Sequence, residues 1–265
     1  MAPPADRLTA TVIVPTYERP AELKRCLASL AAQTRPPEEL LVIDDGRLDA
    51  VPCREALEAA GVRVTLRRKQ TPGVTESRNL GLDLASGDIV FLSEDDVVLF
   101  PDYVERIMAV FEADAEETIA GVGGLIDNER RGRLAGVLRL VLYTLLGLTA
   151  LHEGRLTRSG FAGEYGESLL PIRQLGEVDF LLGGVAAYRR SHIDAIRFSS
   201  RYRMASGYGQ GEDKDFSVRV ARVGRLVVEP RARLEHHPAT KHNFDPYMRG
   251  RGFTLFLDTF HREHL

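Results

Sequence analysis

Three consecutive acids, Glu94-Asp95-Asp96, interrupt an otherwise apolar stretch that runs from Ile89 to Leu92 and resumes at Val97. Adjacent carboxylates repel one another. Their clustering is simplest to understand around a divalent cation, because a hard metal takes oxygen ligands and reverses the local charge balance. The plainer reading is a solvated acidic turn ahead of a helix opened by Pro101 and Asp102. A second pair, Asp44-Asp45, ends the apolar run Leu40 to Ile43. A carboxylate there could accept the imide N–H of a uracil or thymine base, whereas turn formation before Gly46 is its ordinary use. A third cluster, Glu212-Asp213-Lys214-Asp215, follows Gly211. Acids in the first turn of a helix are stabilised by its dipole, so capping explains these without any chemistry. His236-His237 offers a metal ligand or a diphosphate contact, with His236 preferred. Arg78 has the charge and planarity to neutralise phosphate or stack on a base, or it is a solvated helix arginine.

The elements that must carry these groups can be read in order. Thr11 to Val14 is a β-branched run closed by Pro15, and Leu23, Leu27 and Leu30 repeat at helical spacing. Leu40 to Ile43 is a second strand, Cys53 to Ala60 a helix, Val62 to Leu66 a third strand, Thr75 to Ala85 a helix, and Ile89 to Leu92 a fourth strand. Strands alternating with helices imply a parallel sheet with right-handed crossovers. In a sheet wound in the order 3-2-1-4, the first and fourth strands are neighbours where the winding reverses, and ligands bind outside the carboxyl ends there. Pro15-Thr16-Tyr17, Asp44-Asp45 and Ser93 to Asp96 would then converge on one crevice, which favours the metal reading.

Composition sets the outer limits. The 265 residues are 44% hydrophobic, enough to bury a full core, and one domain is expected. Lys and Arg number 35 against 38 acids, for a net charge of -3, so nothing argues for a nucleic-acid partner. Cys26 and Cys53 fall in segments that read as amphipathic helices and form no CxxC pattern. With no signal peptide at Met1 to Ala10, they are expected to be reduced packing residues of a cytoplasmic protein. Neither GxGxxG nor GxxxxGK[ST] occurs, so a dinucleotide fingerprint and a P-loop are both unsupported.

The elements Val12-Ile13-Val14-Pro15-Thr16-Tyr17, Val42-Ile43-Asp44-Asp45-Gly46, Gly73 to Gly81 and Phe91 to Pro101 together resemble the nucleotide-sugar half of family 2 glycosyltransferases of the GT-A fold. The resemblance implies an α/β fold with a Rossmann-like, mostly parallel sheet flanked by helices and a mixed acceptor-side half. One domain would span 1–265, with a nucleotide-sugar half over 11–125, an acceptor and catalytic half over 126–245 and a C-terminal helix over 246–265. It further implies a nucleoside diphosphate sugar donor, UDP foremost, and a Mn²⁺ or Mg²⁺ cofactor. Pro15, Tyr17, Asp44, Asp45, Arg78 and Glu94 would then contact the nucleotide. The family's Asp-x-Asp element does not match Ser93-Glu94-Asp95-Asp96 residue for residue. Counting from Phe91-Leu92 assigns the metal-binding acid to Asp95, and reading Glu94-x-Asp96 moves it to Asp96; Asp95, Asp96 and His236 are the candidate ligands.

Phe180 to Arg190 resembles the family's second element, in which Gly183 and Gly184 let backbone approach donor and acceptor; close strand packing would use glycine equally well. Glu212-Asp213 resembles its acidic pair, with Asp213 as the base toward the acceptor hydroxyl and inversion at the anomeric carbon. The acceptor would be a glycan or a lipid-linked sugar. The rivals are a catalytically silent nucleotide-sugar scaffold, for which the altered Ser93 position argues, and a sugar-nucleotide pyrophosphorylase, which would carry a glycine-rich basic loop not found here.

Two further stretches bear on partners. Arg139 interrupts the apolar run Leu134 to Leu151, which is near the short limit for a bilayer span, so a transmembrane helix is rejected. Packing on the domain or a partner, and an interfacial helix at the cytoplasmic face of a membrane, both stay open. Pro246 to Phe260 is expected to be a helix that covers the site, pairs in a homodimer or contacts a membrane. Arg201 to Gly211 is expected to be a loop suited to a flap.

Overall fold

A computed structural model describes residues 7–128, 134–203, 211–238 and 246–264. Most of the expected flap, and the chain leading into the last helix, lie outside the described residues. In chain order the elements are β1 (Ala10–Thr16), α1 (Pro20–Ala31), β2 (Glu39–Asp44), α2 (Arg54–Ala59), β3 (Arg63–Arg68), α3 (Val74–Leu84), β4 (Ile89–Ser93), β5 (Val97–Leu99), α4 (Tyr103–Ala113), β6 (Ile119–Ile126), α5 (Leu134–Leu145), β7 (Gly176–Val178), β8 (Val185–Arg189), α6 (Arg190–Ile193), α7 (Glu212–Val220), β9 (Arg225–His236) and α8 (Pro246–His264).

The strands form one sheet in the order β3-β2-β1-β4-β8-β6-β9-β5, with β7 also paired to β9. The first four strands are parallel, and β1 lies beside β4 in the expected winding. Beyond β4 the sheet is mixed: β8 is antiparallel to β4 and β6, whereas β6 and β9 are parallel. Both faces are covered, which explains the near-continuous apolar strands. Val12, Val14, Leu40 and Val42 pack toward α1 and α4 on one side, and Ile13, Leu41, Ile43 and Val90 pack toward α3 and α7 on the other. Helix α1 opens with Pro20 in its first turn, a position where its fixed φ and missing N–H cost nothing, and it buries Leu23, Cys26, Leu27 and Leu30 as a single stripe. Gly81 lets α3 sit close on the sheet, since a Cβ there would stand 2.4 Å from Ile13.

The sequence around Pro230 reads as two short strands, Val227 to Glu229 and Ala232 to Leu234, but they form one strand, β9, with a bulge: its register against β6 shifts between Val228 and Arg233, around Pro230, which cannot donate to a ladder. Cys53 does not lie within a helix; it precedes α2 with φ 57°. The apolar helix α5 buries no stripe like those of α1 and α4 among its described side chains: every described residue from Val137 to Thr149 is half-buried or exposed.

Candidate active site

The acid triplet is the tight connection between β4, in the middle of the sheet, and β5, at its edge. Two pairings fix what surrounds it. Antiparallel β8 sets Val185 opposite Ser93, so Gly183 and Gly184 arrive beside Glu94. Antiparallel β9 sets His236 opposite Val97, and the His237 N–H donates to the Asp96 carbonyl at 2.8 Å. The bulged β9 thus brings a histidine from far along the chain to the acids.

The three acids then diverge. Asp95 turns toward β1, where it accepts the Thr16 hydroxyl at 2.8 Å and the Arg19 guanidinium at 3.3 Å. Burial pushes its carboxyl up to about 6 despite those two partners. Asp96 accepts Arg19 on Oδ2 at 3.1 Å, whereas its Oδ1 is buried with no hydrogen-bond partner. His236 Nε2 lies 3.5 Å from that same Oδ1 and 3.9 Å from Glu94 Oε2. Ligand atoms of Glu94, Asp96 and His236 all fall within 4.8 Å of one another, the one such group among the described residues. The two carboxylates suit Mn²⁺ or Mg²⁺, the imidazole beside them is the poorer match for Mg²⁺, and the unpartnered Oδ1 is a buried acceptor in the cluster. The residues therefore fit a divalent cation. The cluster corresponds to the Glu94-x-Asp96 register and takes in His236; Asp95 lies outside it.

Arg78 is not at the surface of the crevice but fully buried beneath it. Its Nη1 donates to Glu212 at 2.8 Å and its Nη2 to Glu94 at 3.0 Å, so one guanidinium ties the β4 acids to the start of α7. Burial opposes its charge, yet Glu212, Glu94 and Asp213 outweigh that and raise its pKa further. Glu212 is buried with Oε2 unpartnered, and burial, reinforced by Asp213, pushes its carboxyl up to about 7. Asp213 is half-buried. Its Oδ2 accepts the Gly183 N–H at 2.7 Å and its Oδ1 the Lys214 N–H at 2.8 Å, so backbone orients the carboxylate.

The glycine pair is required by this crowding. A Cβ on Gly183 would stand 3.0 Å from Asp213 Oδ2 and 3.2 Å from Arg78. Gly184 has φ 76°, and a Cβ there would stand 2.9 Å from Glu94. Asp213, Arg78 and Glu94 thus meet around two residues of backbone.

At the neighbouring strand end, Asp44 accepts the N–H groups of Gly46 and Leu48, each at 2.8 Å. Asp45 accepts Gly73 N–H at 2.8 Å and the Ser77 hydroxyl at 2.7 Å, with Lys69 at 3.1 Å. Both therefore brace the turn and the start of α3. Pro15 is partly exposed at the end of β1, and Tyr17 is 44% exposed just beyond it. Two participants were not anticipated. Arg19 belongs to the same strand end as Tyr17 and could have been found by extending that cluster. Asn128 holds the His236 backbone through Nδ2 to O at 2.7 Å and N to Oδ1 at 2.9 Å, and no sequence signal marks it.

Comparison with known proteins places this chain among glycosyltransferases. The "PGL/p-HBAD biosynthesis glycosyltransferase" of Mycobacterium bovis (strain BCG / Pasteur 1173P2) is 31% identical over 178 residues, covering 64% of this chain and 67% of that protein. Among solved structures, GalNAc-T7 with UDP, GalNAc and Mn²⁺ matches with a TM-score of 0.64 at 16% identity, over 97% of this chain and 50% of that one. The mannosyltransferase PcManGT of Pyrobaculum calidifontis, in complex with GDP-Man and Mn²⁺, matches with a TM-score of 0.57 at 17% identity, over 89% of this chain and 58% of that one. This chain thus spans half of the first structure and 58% of the second. At such identities the two structures share the fold. The model of the family described as "Glycosyl transferase family 2" matches residues 11–197, well over half the chain, and the protein belongs to that family of glycosyltransferases.

Proposed function

We propose that the protein moves a sugar from a nucleoside diphosphate donor, UDP foremost, to a hydroxyl of a glycan or lipid-linked acceptor in polysaccharide, glycolipid or cell-envelope glycan synthesis, with inversion at the anomeric carbon. The observation that carries this reading is the convergence, around Gly183 and Gly184, of the Glu94, Asp96 and His236 cluster with Asp213. Complexes of two proteins of the same fold, one with GDP-Man and Mn²⁺ and the other with UDP, GalNAc and Mn²⁺, support it. Glu94, Asp96 and His236 would hold Mn²⁺ or Mg²⁺, which when bound offsets negative charge developing on a departing diphosphate.

The chain's own residues do the rest. Pro15 and the exposed Tyr17 line the nucleotide recess, and Asp45, braced by Gly73 and Ser77, borders it. Arg78 is a positioning residue: by spanning Glu94 and Glu212 it holds the donor side and the acceptor side in one register. Asp213 accepts the acceptor hydroxyl's proton as that oxygen bonds to the anomeric carbon and the bond to the diphosphate breaks. Attack from the face opposite the diphosphate inverts the centre. Such a base is typically worth about 10²–10⁴ in rate.

Calorimetric titration of UDP, dTDP and GDP with and without Mn²⁺ tests the donor half, on wild type, Asp96→Ala and Asp95→Ala. The expected result is metal-dependent binding of one diphosphate that is lost in Asp96→Ala and survives in Asp95→Ala. Loss in Asp95→Ala alone would return the metal to the other register. Absence of binding by any diphosphate would overturn the reading, and saturable binding without transfer to any acceptor would favour the silent scaffold.

A further inference from the structure

Helix α5 is apolar apart from Arg139, Tyr143 and Thr144, and among the described residues its side chains from Val137 on are exposed or half-buried. Val137, Leu138, Val141, Leu142, Leu145 and Leu146 are 46%, 73%, 38%, 52%, 80% and 61% exposed. Helix α4, one residue shorter, buries six side chains, including Val104, Ile107, Met108 and Phe111. A contiguous exposed patch of this kind marks an interaction surface. Its 12 residues span only about 18 Å against a hydrocarbon core of about 30 Å, and no described helix is long and apolar enough to cross a membrane.

Charge decides what covers it. From Arg130 to His152 the sequence has four arginines, at 130, 131, 133 and 139, and no acid, although the whole chain is net negative. Arg139 is exposed and lies 5.9 Å from the Tyr143 ring, itself 40% exposed. A second copy of this chain, docked by two-fold symmetry, would set two arginine-rich, acid-free segments against each other. An anionic bilayer surface is complementary to them. Apolar side chains enter the acyl boundary, arginines meet headgroups, and tyrosine suits the interface between them.

We propose that α5 and the turn after it, through Leu151, dock the protein on an anionic lipid surface, with the helix lying in the plane of the interface. The position of the helix gives this a purpose. Asn128, bonded to the backbone of His236, is six residues before Leu134, so the chain holds the start of α5 within about 20 Å of Asn128, on the His236 side of the site. Acceptors anchored in the same bilayer are then presented to Asp213, a consequence that rests on the transferase reading; the docking itself does not.

The test is co-sedimentation of the full chain with vesicles of equimolar phosphatidylcholine and phosphatidylglycerol, and with phosphatidylcholine alone. Wild type should sediment with the anionic vesicles, less in high salt and less with the neutral ones. The triple variant Leu138→Glu, Leu142→Glu, Leu145→Glu should lose at least about tenfold in partition, and Arg139→Gln about fivefold. These side chains are exposed, so an unchanged melting temperature and unchanged vesicle-free diphosphate titration would show that the fold and donor site persist. Wild type left in the supernatant, or a triple variant that partitions like wild type, would overturn docking. So would a dimer on a sizing column that the triple variant dissociates without any vesicle binding, which would assign the surface to a second copy. Because the diphosphate titration uses no lipid, failure of the transferase reading and failure of docking are read separately.

Discussion

The chain ends two strands of its sheet in clustered acids, and the fold treats them differently. After β2, Asp44 and Asp45 spend their oxygens on Gly46, Leu48, Gly73 and Ser77, all belonging to the turn and helix they stabilise. After β4, Asp95 is satisfied in the same manner by Thr16 and Arg19, but Asp96 keeps a buried oxygen without a partner beside His236 and Glu94. Buried acceptors are nearly always paired, because leaving one bare forfeits its desolvation cost. The fold thus uses the oxygens of the first pair itself, whereas at the second site it leaves one buried oxygen without a hydrogen bond.

The difference is broken most directly at its sharpest contrast. Asp96→Ala removes the carboxylate that carries the unpartnered Oδ1, and Arg19, losing Oδ2 of Asp96, keeps Asp95 as a partner. Metal-dependent transfer should fall about 10³-fold, the several kcal/mol expected when charge stabilisation at a leaving group is lost. Thermal stability should hold or rise. A large drop in melting temperature with activity per folded molecule preserved would make Asp96 scaffold as well. Asp44→Ala should behave oppositely: two part-buried N–H groups, those of Gly46 and Leu48, lose a charged acceptor, and urea unfolding should report a loss of about 2 kcal/mol. If diphosphate affinity collapsed instead while stability stood, Asp44 would be a base-binding residue and the contrast would fail.

Much of this was legible because it depended on local patterns. Apolar runs separated by amphipathic helices were enough to place β1 beside β4 and so to bring the acids to one edge. Consecutive acids were visible, but which carboxylate faces a ligand was not. Counting from Phe91 favoured Asp95, whereas the turn between β4 and β5 directs Asp95 toward Thr16 and Asp96 toward His236. Such directions come from long-range pairing, here between Val97 and His236, 139 positions apart, and from the bulge at Pro230. The residue type of Arg78 suits phosphate or a base face, but not the ion pairs it makes here: Glu94 and Glu212 lie on elements whose proximity no periodicity encodes. The exposure of α5 was equally hidden, since an apolar stripe looks the same whether it meets a core or a lipid surface.

Gly184→Ala sharpens the comparison with a smaller perturbation. A non-glycine residue at φ 76° costs roughly 1–2 kcal/mol, and the new Cβ, 2.9 Å from Glu94, must displace that carboxylate. About a tenfold weakening of Mn²⁺-dependent diphosphate binding is expected, with metal-independent binding unchanged. Equal loss of both would mean that the glycine shapes the nucleotide recess rather than the cation cluster.

Glu212 allows the finest test, because it resembles Asp96 in having a bare buried oxygen but differs in touching Arg78. Its carboxyl titrates near 4.5 in an unfolded chain and is pushed up to about 7 in the folded one, first by burial and then by Asp213. The folded state therefore holds this proton more tightly than the unfolded state does. Glu212 favours folding most below about 4.5, and that contribution declines as pH rises toward 7 and is level above it. Glu212→Gln cannot ionise and lacks the decline. In metal-free buffer, the unfolding free energy of wild type minus that of the variant should fall across this window, by at most about 1.4 kcal/mol per pH unit. A difference that stays flat would mean that Arg78 keeps Glu212 ionised throughout. Glu212 would then belong with Asp44 and Asp45 among the acids the fold has already satisfied, leaving Asp96 as the acid set aside for a ligand.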